Sequence, residues 1–308
     1  MSWPRWVVII AMFLTAGGFC LPAWGCLLRE ADSVPTVIMP LKYENRRANV
    51  SYHYEMLAMA LDKSTKKYGP CEARVTELYL PSNRLNLHSV ESGLVDIIDT
   101  TTSPERDQRL LPVRIPLLKG LMGYRLLFIR KGEQPSFTGI KTLSDVRALS
   151  FGQGGTWPDV TILKANGITA VPAVNHISLM KMLLAKRFDA YPRGAQQILV
   201  ERSNRRDNLL DIEKTMGLAY VSPVYFHVGP NNKALAERIQ FGLELAIADG
   251  SFEKLFRRHA LVKRAFEELH LESRRFIYLC NPNLHPDTPV DKTNFWWRPW
   301  PKDLQCKK

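Results

Sequence analysis

The sequence lacks the usual signatures of catalysis and metal binding. Its seven histidines, His53, His88, His176, His227, His259, His270 and His285, show no H-E-x-x-H run and no close His/Cys spacing. No metal site is expected, and each histidine reads as structural or exposed. There is no G-x-S-x-G elbow for a nucleophilic serine. The adjacent acids Glu267 and Glu268 fall on an ordinary charged helix face, not in a catalytic pair. No cofactor and no catalytic residue is therefore expected. Internal repeats and low-complexity linkers are also missing, and after the N-terminal region no apolar run is long enough to cross a bilayer.

Cysteine is scarce, with five in 308 residues. Cys20 falls within an N-terminal stretch that reads as a secretory signal: Arg5, the apolar run VVIIAMFLTAGGF, then LPAWG before Cys26. The run is short of the roughly 20 residues of a membrane span, which favours cleavage after residue 25 over an uncleaved anchor. Cys26 at the cut raises the possibility of a lipid-modified terminus. Bulky Trp24 argues against it, so a free periplasmic protein is expected. Export permits disulfides. Cys280 and Cys306, both in the C-terminal tail, are the expected pair, and Cys71 in YGPCEAR reads as a small buried side chain.

Acidic residues are outnumbered, and the formal charge is +12. Losing residues 1–25, with one basic and no acidic residue, leaves +11. Such a balance can signal nucleic acid. Export and the scatter of Lys and Arg along the chain exclude that partner here. Two readings stay open, a solvated basic surface or a field that attracts small anions.

Hydrophobic content of 45% indicates a well-buried globular chain. Strand signals alternate with helical ones, which predicts an α/β fold. VPTVIMP, ARVTELYLP, VDIID, GYRLLFIRK and AYVSPVYFHVG read as strands. SYHYEMLAMALDKSTKKYG reads as a helix with Tyr54, Leu57, Ala58 and Leu61 on one face and Gly69 as its stop. In ALAERIQFGLELAIADGSFEKLF, Leu235, Ile239, Leu243 and Ile247 form an inward stripe, Asp249-Gly250 breaks the helix, and Ser251 can cap the next turn.

Four segments, in order, carry a resemblance. They are GLVDIIDTTTSPERDQRLLPVRIPLLKG, GQGGTWPD, LLAKRFDAYPRG and LAERIQFGLELAIADGSFEKLF. Together they resemble the bacterial periplasmic solute-binding proteins of the polar amino-acid type (family 3), the receptors of ABC importers. The likeness runs from about Val34 to His259. It implies a two-lobed periplasmic-binding-protein fold of type II, with two crossing strands and a ligand cleft between lobes. Carried over, residues 31–123 and 225–275 form lobe one, 124–224 form lobe two, and 276–308 are a C-terminal extension without a counterpart. The implied partners are a small polar or anionic solute and a membrane ABC permease, or a membrane sensor protein instead, with the receptor working as a monomer. An enzyme on the same scaffold, a dehydratase or hydrolase, is the rival of another class.

The resemblance assigns Arg106 as the clamp on a ligand carboxylate; a guanidinium can meet it with two parallel hydrogen bonds. Otherwise Arg106 is a surface ion-pair partner within PERDQR. Thr101, Thr102 and Ser103 supply hydroxyls beside it, or serve as turn and cap residues. FGQGGTWPD has no lysine for a P-loop and lacks full G-x-G-x-x-G spacing. What remains is a strand end, close-approach glycines, Thr156 and Trp157 before a helix, where free N–H groups favour an anionic oxygen. A tight turn over a buried Trp157 is the alternative. In YPRG no acid follows Asp189-Ala190 to hold an ammonium; Tyr191 and Arg193 stand there instead. Arg193 would attract a second anionic group, which points away from an ordinary α-amino acid, or it lies on the hinge surface. Arg84 and Tyr43 complete the expected ligand-binding set.

Overall fold

The structure is a computed structural model that describes residues 25–30, 32–41, 51–80, 83–203, 208–302, 304 and 306, with the side chains of residues 78, 79, 83 and 84 outside that description. Residues 1–24 of the expected signal segment (1–25) and Tyr43 lie outside the described residues. The first lobe opens with β1 (Thr36–Leu41), α1 (Tyr52–Tyr68), β2 (Glu72–Tyr79), α2 (Asn83–Glu91), β3 (Ile97–Thr101), α3 (Pro104–Arg109) and β4 (Leu111–Val113). β1 runs parallel to β2, Thr36 opposite Glu72. Ser51 caps α1 by accepting from the Tyr54 N–H, and the helix stops at Gly69 as its sequence predicts. Its buried face is Tyr52, Met56, Leu57, Ala60 and Leu61, so the inward stripe is rotated from the one read off the sequence.

The chain then enters the second lobe: β5 (Tyr124–Arg130), α4 (Gln134–Thr138), α5 (Leu143–Arg147), β6 (Ser150–Gly154), α6 (Pro158–Ala165), β7 (Thr169–Ala173), α7 (His176–Leu184), β8 (Tyr191–Gly194), α8 (Ala195–Ser203), β9 (Leu210–Ile212) and β10 (Met216–Ala219). The apolar run of β5 is central and buried; it pairs antiparallel with β8, β9 and β10. β6 and β7 pair in parallel, and a bridge from Phe151 to Ala190 links them to the segment before β8.

Next, β11 (Val224–Val228), α9 (Lys233–Ala248) and α10 (Ser251–Arg258) return to the first lobe. β11 inserts between β3 and β4, with Phe226 opposite both Asp99 and Val113. α9 packs on α1 through Leu235, Ile239, Leu243 and Ala246. Arg238, 0 % exposed, lies in that interface and donates to the carbonyls of Tyr68 (3.2 Å) and Gly69 (2.5 Å) and to Ser64 Oγ (3.0 Å). Its positive charge meets the negative end of α1. Gly250, at φ 77°, precedes α10, so Ser251 is the first helical residue and not the expected cap.

The lobes meet at a narrow waist. The first crossing ends at Gly123, where the Tyr220 N–H of the second crossing donates to its carbonyl at 3.2 Å. A Cβ on Gly123 would collide with the Tyr220 carbonyl oxygen, so only glycine lets the two backbones run this close.

Beyond α10 the expected boundaries need correction. α11 (Ala260–Leu269) packs on α8, and β12 (Arg275–Tyr278) pairs in parallel with β10. Residues 260–278 thus leave lobe one and become an edge of lobe two, making a third crossing. Cys280 and Cys306 are disulfide-bonded. Cys71, expected as a small buried side chain, is bonded to Cys26 and ties the segment before β1 to the start of β2. No helix among the described residues is long and apolar enough to cross a membrane.

The Cys26–Cys71 bridge spans 45 residues. The chain-entropy picture gives such a loop about 4 kcal/mol. Replacing both cysteines by serine should lower the urea midpoint of the mature protein accordingly; an unmoved midpoint would show that the bridge adds nothing to the fold.

Candidate functional site

A cavity of about 610 Å³ opens between the lobes. Lobe one contributes Ser51 to His53 at the start of α1, Asp99 to Thr101 at the end of β3, and Arg106 on α3. Lobe two contributes Arg125 on β5, Trp157 to Asp159 at the start of α6, Arg193 on β8, and Gln196, Gln197, Val200 and Glu201 on α8. His259 and Leu261, at the junction of α10 and α11, close one side.

Arg106 is placed by a local device. Ser103 caps α3, accepting from the Arg106 N–H at 3.3 Å, and Pro104 fixes the first helical turn. The side chain folds back, and Nη1 donates to both the carbonyl and Oγ1 of Thr101 at 2.7 Å. It is 8 % exposed, and among the described residues no carboxylate forms an ion pair with it. Burial lowers its pKa, with Glu105 and Asp107 pulling the other way. A buried charge without a partner is costly, and an anion in the cavity would relieve that cost.

The lobe-two arginines differ. Arg125 Nη2 pairs with Asp159 at 2.8 Å and its Nε donates to the Tyr220 hydroxyl at 2.7 Å; that hydroxyl also donates to Asp159. Arg193 Nε donates to both Glu201 oxygens, at 2.8 and 3.0 Å, and its guanidinium lies 4.8 Å from the Trp157 ring centre. Burial opposes the charge of each, yet their pKa values are raised, Arg193 chiefly by Glu201 and Arg125 chiefly by Asp159. Asp99 lies 3.2 Å from His53 Nδ1. No group of three or more His, Cys, Asp or Glu with metal-holding geometry occurs among the described residues.

Arg106, Thr101, Trp157 and Arg193 thus share one cavity. The other expected residues fall elsewhere. Thr102 is buried with its hydroxyl on Asp107 (2.8 Å), and Ser103 is the α3 cap. Tyr191 is buried, its hydroxyl 3.0 Å from His176 Nδ1. Thr156 is exposed and outside the lining. The side chain of Arg84, like Tyr43, is outside the described residues.

In FGQGGTWPD, two of the N–H groups expected to meet an anion are taken by the protein itself. The N–H groups of Gly155 and Trp157 bond to Ala173 and Gly154 carbonyls, both at 2.9 Å. The anion at the start of α6 is the protein's own Asp159. Arg193 likewise offers no spare charge, because Glu201 already holds it. Sequence reasoning missed Arg125, Asp159 and Tyr220. The position of Arg125 inside the apolar strand GYRLLFIRK was the available signal, since such a charge needs a buried partner.

No protein-family model matches the chain, and no curated protein is detectably similar to it. Solved structures are. An ancestral arginine-binding protein bound to arginine is 17% identical over 72% of this chain and 97% of its own, with a TM-score of 0.51. The Bordetella pertussis BvgS VFT2 domain, as a double mutant, is 11% identical over 72% of this chain and 91% of its own, at a TM-score of 0.56. The chain therefore has the two-lobed periplasmic-binding-protein fold.

His259, which lines the cavity, should make the stability of the fold depend on pH. Its Nδ1 accepts from the Leu261 N–H at 3.2 Å, capping α11, which requires an unprotonated nitrogen. Burial lowers its pKa, against the opposing pull of Glu55. A depressed folded-state pKa contributes stability that is full above the unfolded value, ~6.5, and is lost as pH falls through the folded one. Melting temperature should drop between pH 7.5 and 5.5. His259→Asn keeps a capping oxygen and should shrink that drop; an equal drop in both proteins removes His259 from the effect.

Proposed function

We propose that the protein is an exported receptor that captures one small solute by its anionic group on Arg106. The observation that carries this reading is a buried guanidinium, facing an interlobe cavity, with no carboxylate partner among the described residues. Thr101 holds the guanidinium in place, and Trp157 with the Arg193–Glu201 pair forms the facing wall. Each carboxylate in the described lining already faces a protein nitrogen: Asp159 that of Arg125, Glu201 that of Arg193, and Asp99 that of His53. This supports a ligand with a single negative group, an organic acid or amino-acid-like molecule, bound without turnover. A related fold has been solved with arginine bound, which supports amino-acid-sized ligands.

Two disulfides support an oxidising, periplasmic setting. A Cys26 sulfur bonded to Cys71 has no valence left for a lipid thioether, which supports a freely diffusing protein. The bound receptor would then dock on an ABC permease. The likeness to the BvgS VFT2 domain favours a second reading, delivery of the same signal to a membrane sensor.

The mature chain should be screened by thermal shift and calorimetry against amino acids, dicarboxylates and phosphorylated metabolites. Arg106→Ala should weaken any hit by at least ~30-fold, because truncating one side of a buried charged pair costs about 2 kcal/mol or more. A hit of unchanged affinity would refute the clamp.

A further inference from the structure

The C-terminal segment does more than add an edge strand. Arg274 anchors the third crossing to lobe two, donating to the Leu269 carbonyl at 2.6 Å and the Met216 carbonyl at 3.3 Å, with Glu213 at 3.6 Å. After β12 the chain turns back across the waist. Cys280 exchanges two hydrogen bonds with the Asn166 side chain, at 2.9 and 3.0 Å, in lobe two. Asn281 Nδ2 then donates to the Val221 carbonyl of the second crossing at 2.8 Å. The Trp297 N–H donates to the Lys119 carbonyl of the first crossing at 2.9 Å.

Gly120, at φ 81°, presents a bare backbone face in that first crossing, and the rings of Trp296 and Trp300 fill it. Trp300 also stacks on Tyr124, with ring centres 5.2 Å apart, and both tryptophans are buried. Residues 286–292 border lobe one beside Arg114, Gln240 and Glu244, around a second cavity of about 310 Å³. The Cys280–Cys306 bond closes the segment on itself.

We infer that residues 260–306 are a strap that fastens the two lobes, so that the cleft keeps one opening and the solute enters from its open side without wide hinge motion. A hinge works by changing φ and ψ in a few connecting residues. Here the connecting residues have their carbonyls bonded to the strap and their free face covered by indole rings. Opening the lobes would break these contacts and expose both tryptophans to water. The lobes are also joined by a third covalent path, which a two-strand hinge does not have. A cleft already in its binding geometry loses no affinity to unproductive open states.

The consequence for affinity rests on the receptor reading of the cleft; the fastening does not. Single-molecule energy transfer between dyes on azide-bearing residues at Lys66, on α1, and Lys164, on α6, reads lobe separation directly. Ligand-free wild-type protein should show one narrow population that stays in place when a ligand is added. A chain ending at Tyr278 should broaden toward a second population and bind any hit about 3- to 10-fold more weakly, as a reduced competent fraction requires. Should that chain fail to fold, Cys280→Ser with Cys306→Ser loosens the strap more gently and should widen the distribution in the same direction. Two ligand-dependent populations in the wild type would overturn the inference. So would a single unchanged population in both altered proteins. Because the comparison of wild-type and altered proteins is made on their ligand-free populations, loss of the Arg106 effect would sink the receptor reading while leaving that comparison to stand or fall alone.

Discussion

The backbone contact at the waist is the constraint on which the rest of the molecule depends. Gly123 and Tyr220 run carbonyl to amide at 3.2 Å, with no room for a side chain between them. The two lobes are thereby held close together at this point, with the cleft opening between them. The same Tyr220 reaches its hydroxyl to Arg125 and Asp159 in the cavity wall, so the waist and the site share a residue.

The cleft is electrostatically lopsided. On lobe two the guanidinium groups meet carboxylates of their own lobe, and their charges are spent in building the wall. On lobe one, the Arg106 guanidinium bonds, among the described residues, to a carbonyl and a hydroxyl of Thr101 within its own lobe. Neutral acceptors orient a guanidinium but leave its charge uncompensated, and burial makes that charge expensive. This difference between equally buried arginines separates a ligand-seeking group from a structural one. Composition does not: an excess of Lys and Arg says nothing about which cation lacks a counter-ion.

Much of the secondary structure was legible. Ser51 and Gly69 bound α1, and the apolar run of β5 is buried along nearly its whole length. The order of segments pointed to two lobes, and Arg106, Thr101, Trp157 and Arg193 do share a cavity. The failures have a common cause. FGQGGTWPD looked like an anion cradle because its N–H groups are free in one dimension, but β7 and the turn itself take those of Gly155 and Trp157. Arg193 looked like a spare charge because its partner, Glu201, follows on the next helix and not in the same strand. The tail looked featureless because its bonds outside itself reach back 58 positions or more, to partners such as Met216, Val221, Asn166 and Ile140.

Local chemistry in the sequence determined the helix and strand limits, the cap that aims Arg106, the alternation that forces an α/β fold, and the leader-like start. Those rest on neighbouring residues, whose spacing is fixed by covalent geometry. Which charges cancel, which cysteine meets Cys26, and where residues beyond 259 attach were decided only by the tertiary structure. Each depends on groups brought together from distant parts of the chain, and pairing energies of that kind follow distance in space, which sequence separation does not encode.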